Sequence, residues 1–330
     1  MDEKKPKSLR DAIRYFGNED NCIRTVAEMR WPNGIVCPAC GHKEHYYLEN
    51  QRRWKCKECW KQFSAKVGSI FEDSPIPLDK WLIALWMLVN CKNGISSYEV
   101  ARDLGITQKS AWFVLHRLRL ALQEGSIDNK IGGDGGEVEA DEAFIGGKPK
   151  NMHKSRRLAL NQAKNECLRG NTRLIGKTAV MGLLDRQQRK VRATVVPDVK
   201  RDTLQNEILK QVERGTQIYT DESTSYMGLT AKYAHQVVNH MEQYVNGRVH
   251  TNGLENFWSL LKRGLNGTYV AVEPYHLFRY VDEQVFRYNN RKQGQYRITD
   301  LDRFNLALSQ IAGKRLTYKE VTGKVGETTV

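Results

Sequence analysis

The chain has 330 residues, room for about two domains plus smaller modules, and its 52 Lys and Arg outweigh 38 acids to give a formal charge of +14 and a pI near 9.4. That excess favours a polyanionic partner, nucleic acid before membrane. The longest apolar run, Trp81–Val89, is far short of the ~18 residues of a membrane span, and the opening M-D-E-K-K-P-K-S lacks the apolar core of a signal peptide, so the expectation is a soluble, cytoplasmic protein.

Taken in order, residues 1–34 read as two short helices. Ser8 can cap the first, with Leu9, Ile13 and Phe16 on one face. Asp20 or Asn21 can cap the second, with Cys22, Val26 and Met29 inward. Residues 35–72 carry two C-x-x-C pairs, Cys37/Cys40 and Cys56/Cys59, 15 residues apart. That spacing can set four thiolates at the corners of a tetrahedron around Zn²⁺. Y-Y-L-E and R-W-K-C supply the short hairpins of a zinc ribbon, and His42 and His45 read as loop residues because the four thiolates already complete the site. Cys22, Cys91 and Cys167 are scattered singles, read as inert thiols in a reducing compartment. Lys43, Arg52, Arg53, Lys55, Lys57, Lys61 and Lys66 favour contact with nucleic acid over a purely structural staple.

Within residues 73–124, an apolar helix over Leu78–Val89 precedes a helix-turn-helix pattern. Ser96 and Glu99 form a capping box, small Ala101, Gly105 and Ala111 fall at helix, turn and helix, and Thr107 opens a second helix with Val114, Leu115 and Leu118 inward. Gln108, Lys109 and Ser110 then stand at the start of a recognition helix for double-stranded DNA. An ordinary helical hairpin of a small bundle is the other reading.

Residues 125–136 are rich in Gly and Asp and read as a linker. From 137 to 292 the pattern changes to strands and then helices, which fits an α/β layer architecture. Glu137–Gly147 alternates as a strand and carries Asp141; Thr216–Ser223 is short, β-rich and carries Asp221. Between them, residues 148–177 hold nine basic residues, Arg156 and Arg157 among them, against the single acid Glu166; this reads as a basic loop that orders on DNA. Thr178–Leu184 and Val191–Val196 form a hairpin with Asp185 as a turn residue, Thr203–Val212 an amphipathic helix, and His235–His240 a last short strand. Asn252–Arg263 winds into a helix with Leu254, Phe257, Leu260, Leu261 and Leu265 on one side. Asn252, Glu255, Ser259 and Lys262 fall within about 80° of one another on the other side. A helix with Leu277, Tyr280, Val281, Val285 and Phe286 on its packing side follows Pro274. Residues 293–330 read as a basic tail.

Two strand acids and one helix acid make an oxygen-only site suited to Mg²⁺ or Mn²⁺ and poorly suited to zinc. Asn252 with Glu255 also fits a capping box, which would make both residues structural. A-D-E-A-F-I-G-G-K, Y-T-D-E-S, H-T-N-G-L-E-N-F-W-S-L-L-K-R-G and G-K-R-L-T-Y-K, with 33 residues between Asp221 and Glu255 and Lys262 seven beyond, resemble the DDE-type transposases of bacterial insertion sequences that carry a zinc ribbon before an RNase H-like catalytic domain. The resemblance runs over nearly the whole chain. It implies a nucleoid-associated transposase that binds terminal inverted repeats, cuts DNA and joins the ends to target DNA, as a homodimer. It further implies Asp141 and Asp221 as ligands for two Mg²⁺, with Lys262 steadying the DNA backbone. For the third ligand it admits Glu255 or Asn252; a carboxylate binds a hard cation better than an amide, which favours Glu255. A nuclease on the same fold, and a DNA-binding regulator whose acids are structural, are the two other classes open to the sequence.

Overall fold

The computed structural model describes residues 5–123, 129–147, 153–155, 158, 176–221, 224–231, 233–238, 250–291 and 298–323. The chain divides into two compact units, Met1–Glu124 with Asn290–Val330, and Gly125–Asn289.

In the first unit, α1 (Leu9–Phe16) starts at a Ser8 capping box closed by Asp11. It buries Ala12 and Phe16 and leaves Leu9 and Ile13 exposed, because its line of contact runs through Phe16 against the Phe304 ring, 5.4 Å between centroids. α2 (Glu19–Arg30) is capped by Asn18, earlier than the sequence indicates, and buries Cys22, Val26 and Ala27. Three antiparallel strands follow, β1 (His45–Leu48), β2 (Arg53–Cys56) and β3 (Gln62–Phe63), in the order β1-β2-β3. Tyr47 lies opposite Trp54, and Trp54 opposite Phe63. Trp31 stands edge-on to Trp54, so this small sheet has an aromatic core of its own. α3 (Leu78–Asn90) is buried at every position from Trp81 to Val89, as befits a helix apolar all round. α4 (Ser97–Leu104), with the expected Ser96–Glu99 capping box, turns through a left-handed Gly105 into α5 (Gln108–Leu122), which buries Val114, Leu115 and Leu118.

The segment read as a basic tail belongs to this unit. The helix Asp300–Ser309 buries Phe304, Ala307 and Leu308, and Phe304 also meets Trp86 of α3, with 5.3 Å between ring centroids. Polar groups of this segment also reach the ends of α3 and α5. Arg303 donates to the Asn90 side chain at 2.8 Å. Lys314 Nζ donates to the Ala121 and Gln123 carbonyls at 3.1 and 2.8 Å, placing a cation where the α5 macrodipole is negative. Net charge hid this: three apolar residues in one helix turn a basic stretch into core.

The second unit is built on a five-stranded sheet: β4 (Glu137–Ile145), β5 (Thr178–Asp185), β6 (Lys190–Val196), β7 (Gln217–Asp221) and β8 (Ala234–Val238), in the order β6-β5-β4-β7-β8. β4, β5 and β6 run antiparallel, and β7 and β8 are parallel to β4. Strand alternation splits the core. Val138, Ala140, Met181 and Leu183 face α6 (Arg201–Gln211), packing on its Leu204 and Ile208. Ala143, Val180 and Leu184 face the opposite way, onto α7 (Asn252–Gly264) and α8 (Leu277–Asn289). This is an RNase H-like α/β unit. Asp185 closes the β5–β6 turn, its carboxylate accepting from the Gln187 and Gln188 N–H groups at 2.9 Å each.

From Asn129 onward the Gly-rich stretch is part of this unit rather than a linker. Ile131 is buried and bridges to Val212. Gly132, at φ +85, lies so close to Thr216 that a Cβ there would sit 2.4 Å from its Oγ1. Its glycines mark close backbone approach and left-handed geometry, not a free connection. Among the described residues no helix is long and apolar enough to cross a membrane.

Because Phe304 is 1% exposed between α1 and α3, Phe304→Ala should lower the stability of its unit by about 3–5 kcal/mol. Urea unfolding followed by tryptophan fluorescence, with Trp86 as the neighbouring reporter, measures this. An unchanged midpoint would put the C-terminal helix outside the cooperative core.

Candidate active site and zinc centre

Strands β4 and β7 pair only through Glu137–Glu139 and Gln217–Tyr219. Beyond that register their ends are no longer joined, and the acids sit where pairing stops. Carboxylate oxygens of Asp141, Glu142 and Asp221 all lie within 4.8 Å of one another. Asp141 stands opposite Gly182 of β5, on the face covered by α7, and its Oδ2 accepts from Trp258 Nε1 at 2.9 Å. Gly182 makes room for this: a Cβ there would come within 2.6 Å of the Trp258 ring. Glu142 accepts a hydrogen bond from the buried Tyr226 hydroxyl.

Burial pushes the Asp141 carboxyl up to about 6; the Trp258 hydrogen bond opposes the shift, and the negative charges of Asp221 and Glu255 add to it. Burial likewise pushes Glu142 up to about 7, against the Tyr226 hydrogen bond and with the charges of Asp221 and Asp141. Such a cluster calls for positive charge. Three carboxylates offering only oxygens suit a hard divalent cation, and the set fits Mg²⁺ or Mn²⁺.

How α7 is fixed decides what stands beside these acids. Its N-cap position is Thr251, which makes no side-chain cap bond, so the Asn252–Glu255 capping box is not formed. The carboxylate of Glu139, 1% exposed, does the capping from β4: its Oε2 accepts from the Leu254 N–H at 3.0 Å and its Oε1 from Arg186 Nε at 2.8 Å. Arg186 also donates to His250 Nδ1 at 2.9 Å. Gly253 is required here, since a Cβ would fall 2.9 Å from Glu139 Oε2 and 2.2 Å from Leu184. Leu254, Phe257, Trp258 and Leu261 are buried, whereas Asn252, Glu255, Ser259 and Lys262 are exposed along one stripe. Glu255 lies outside the three-acid group but close enough for its charge to act on Asp141.

In the first unit the Sγ atoms of Cys37, Cys40, Cys56 and Cys59 converge within 4.8 Å. Cys37–Cys59 and Cys40–Cys56 are each 3.6 Å apart. Zn–S bonds of about 2.3 Å at tetrahedral angles require S···S edges of about 3.8 Å, so the cluster is sized for zinc and far too open for disulfides. Gly41 and Trp60, each just after the second cysteine of its pair, both adopt positive φ, +77 and +59, which makes the two knuckles local copies of one turn. His45 bonds to the Lys43 carbonyl instead of joining the cluster.

At the start of α5, Gln108 donates to Ser97 Oγ at 2.9 Å, Lys109 Nζ lies 4.9 Å over the Tyr318 ring, and Ser110 closes the Thr107 cap. Of these three, Lys109 is exposed and the other two are half-buried. Arg156, Arg157, Cys167 and most of the 148–177 loop lie outside the described residues. The residues that the sequence reading missed are Glu142, Tyr226, Trp258 and the Glu139–Arg186–His250 group. The adjacent acid in A-D-E-A and the aromatic pair in N-F-W were their visible traces.

An RNase H-like sheet bringing acids from β4 and β7 beside an acid-bearing helix, in a chain that also holds a four-cysteine ribbon, defines a DDE-type transposase with a zinc-ribbon domain. Residues 134–289 match the ISXO2-like transposase domain and residues 17–62 the transposase zinc-ribbon domain. The chain belongs to this insertion-sequence transposase family, the two matches together taking in more than half of it. It is 24% identical over 261 residues, 77% of this chain and 85% of the relative, to an uncharacterized protein in transposable element ISH50 of Halobacterium salinarum. The solved structure of a simian T-cell lymphotropic virus intasome in complex with PP2A regulatory subunit B56 gamma overlaps 67% of this chain and 74% of that one. Its identity of 12% and TM-score of 0.30 are too low to bear on function.

Two measurements check the two centres. Cys37→Ser should lose bound zinc and unfold the ribbon, since structural zinc supplies folding energy directly, while Cys91→Ser keeps both. Metal analysis with circular dichroism decides, and stoichiometric zinc in Cys37→Ser would refute the assignment. The acids predict a pH effect of definite sign. With folded values raised to about 6 and about 7, the folded protein holds these protons more tightly than the unfolded chain. Their stabilisation is therefore complete below the ordinary carboxylate range and is lost as pH rises through the folded values. Relative to Glu142→Gln, zinc-loaded wild type should melt progressively lower between about pH 5 and about pH 8, and Ca²⁺ should restore it. Parallel melting curves for the two proteins would contradict this.

Proposed function

We propose that this transposase binds the terminal inverted repeats of its element, cleaves the phosphodiester bonds at the ends, and joins the freed 3′-hydroxyls to target DNA. The observation carrying the reading is the convergence of Asp141, Glu142 and Asp221 within 4.8 Å beside the helix that bears Glu255. Asp141 and Asp221, with Glu255 from α7, are the ligands for the catalytic cations. Divalent cations bound there supply charge stabilisation for the attacking and leaving oxygens of an in-line phosphoryl displacement. Trp258 holds Asp141 in position by its 2.9 Å hydrogen bond. Lys262, two helical turns beyond Glu255 on the same exposed stripe, offers a point charge to the DNA backbone. Asn252 orients water or phosphate at the start of α7.

Binding divides between two kinds of contact. Gln108, Lys109 and Ser110 read base edges from the start of α5, and Arg156 and Arg157 contribute phosphate contacts. Pairing of two element ends calls for a homodimer on DNA, acting in the cytoplasm at the nucleoid.

The test is strand cleavage and joining on element-end DNA with and without Mg²⁺. Glu255→Gln should abolish both steps with DNA binding and melting temperature intact. Asn252→Ala should slow them and respond to added Mn²⁺. A Glu255→Gln protein that cuts and joins would move the third catalytic position to Asn252; cutting without joining by wild type would mark a nuclease. In gel shifts, neutralising Arg156 and Arg157 should weaken binding to every sequence alike and flatten the salt dependence by about two charges. Lys109→Ala should reduce discrimination between element ends and random DNA. A changed sequence preference in the Arg156/Arg157 variant, with an unchanged salt slope, would overturn that division.

A further inference from the structure

Strand geometry puts successive side chains on opposite faces. Asp141 obeys it, lying on the α7 face against Trp258. Glu142 therefore starts from the other face of β4, that of Val138, Ala140 and Tyr226, where its expected role is that of a half-buried acid with one hydrogen-bond partner. β4 and β7 share no paired residues past Glu139 and Tyr219, and beyond that pairing a Glu142 oxygen comes within 4.8 Å of oxygens from both Asp141 and Asp221. A carboxylate seeking only a hydrogen bond gains nothing from two like charges at that distance.

Tyr226 supplies the second observation. Its side chain has no exposed surface, and it belongs to the 3₁₀ turn Thr224–Tyr226 that follows β7. Its hydroxyl donates to Glu142 Oε1. One hydroxyl occupies one of the roughly four lone-pair positions of a carboxylate, so the bond orients Glu142 without satisfying it. An oriented, otherwise available carboxylate among two others is the arrangement in which an outer hydrogen bond fixes a metal ligand.

We propose that Glu142 is a further ligand for the divalent cation of this site, reaching it from the opposite face of β4 to Asp141, and that Tyr226 is its positioning residue. This rests on the functional reading above and extends it: the acid set on the sheet is three, before the acid on α7 is added. With two cations carrying four positive charges, a third sheet carboxylate leaves less positive charge to be met by Glu255 and the DNA phosphate.

Ca²⁺ binding to zinc-loaded, full-length protein without DNA tests this by calorimetry, with melting curves of the Ca²⁺-free proteins alongside. Glu142→Gln keeps side-chain volume and an oxygen acceptor for Tyr226. It should melt at or above wild type at neutral pH while binding Ca²⁺ about tenfold more weakly or worse. Tyr226→Phe leaves the carboxylate and should weaken Ca²⁺ binding by a smaller factor. Asp221→Asn reports on the site as a whole and should also lose affinity. Wild-type Ca²⁺ affinity in Glu142→Gln, with Asp221→Asn impaired, would overturn the role of Glu142 and leave the metal site standing. Wild-type affinity in both variants, or no saturable binding by wild type at millimolar Ca²⁺, would overturn both readings.

Discussion

The second unit turns on one buried carboxylate. Glu139 sits at the centre of the sheet, 1% exposed, where an unpaired charge would cost several kcal/mol. It is offset by the Arg186 guanidinium and by the Leu254 N–H, one of the donors that the first turn of any helix leaves without an intrahelical partner. The same contact therefore neutralises the strand and fixes the helix. Because it is made from β4 itself, two residues before Asp141, the height and rotation of α7 are set relative to the strand that carries the first acid. A cap supplied by Thr251 would have closed the helix but left its seat on the sheet to packing alone.

Packing then completes the placement. Gly182 and Gly253 are the two points where α7 comes too close for a side chain on the partner surface. With the helix seated on both, Trp258 arrives over Gly182 with its indole N–H on Asp141, and Glu255, one turn earlier, falls on the exposed flank. A larger residue at either glycine would lift the helix by the width of a methyl group. Metal sites tolerate such displacements poorly, because the ligand oxygens of a small, hard cation must lie close to their ideal distances. These glycines are read better as spacing devices than as flexible joints.

How much of this was legible in the sequence follows from which interactions are local. The two C-x-x-C pairs, the strands that carry Asp141 and Asp221, and the apolar face of α7 were legible because each of these patterns is complete within a few residues. The Ser96 cap and the Gly105 turn were legible for the same reason. Glu142 was not: period-two alternation assigns it to the face opposite Asp141, and no local pattern shows that β4–β7 pairing ends early enough for the two carboxylates to meet. Trp258 was passed over because it lies at the border of the apolar stripe, where helix geometry alone does not say whether an indole packs or points to a polar group. The capping of α7 by Glu139 spans 115 residues in sequence, and local pattern offered Asn252 and Glu255 in its place. Gly132–Gly136 and the C-terminal helix failed for a shared reason. Composition describes what a segment would do alone, whereas Thr216 and the Trp86–Phe304 contact decide what it does in the fold.

The two metal-binding sets differ in ligand chemistry, and the difference bears on how each unit is stabilised. Thiolates are soft and strongly binding, so the ribbon's cation is part of its fold, and the small three-stranded sheet has little core beyond Trp31, Trp54 and Phe63 to stand without it. The acids are hard ligands gathered against their own repulsion and desolvation, as the upward displacement of Asp141 and Glu142 records. A centre of the first kind is filled once and kept. One of the second kind costs stability until a cation offsets its charge. Ligand type thus separates two kinds of metal-binding set within a single chain: zinc has little advantage at the oxygen-only set, and a hard divalent cation has little affinity for the thiolates.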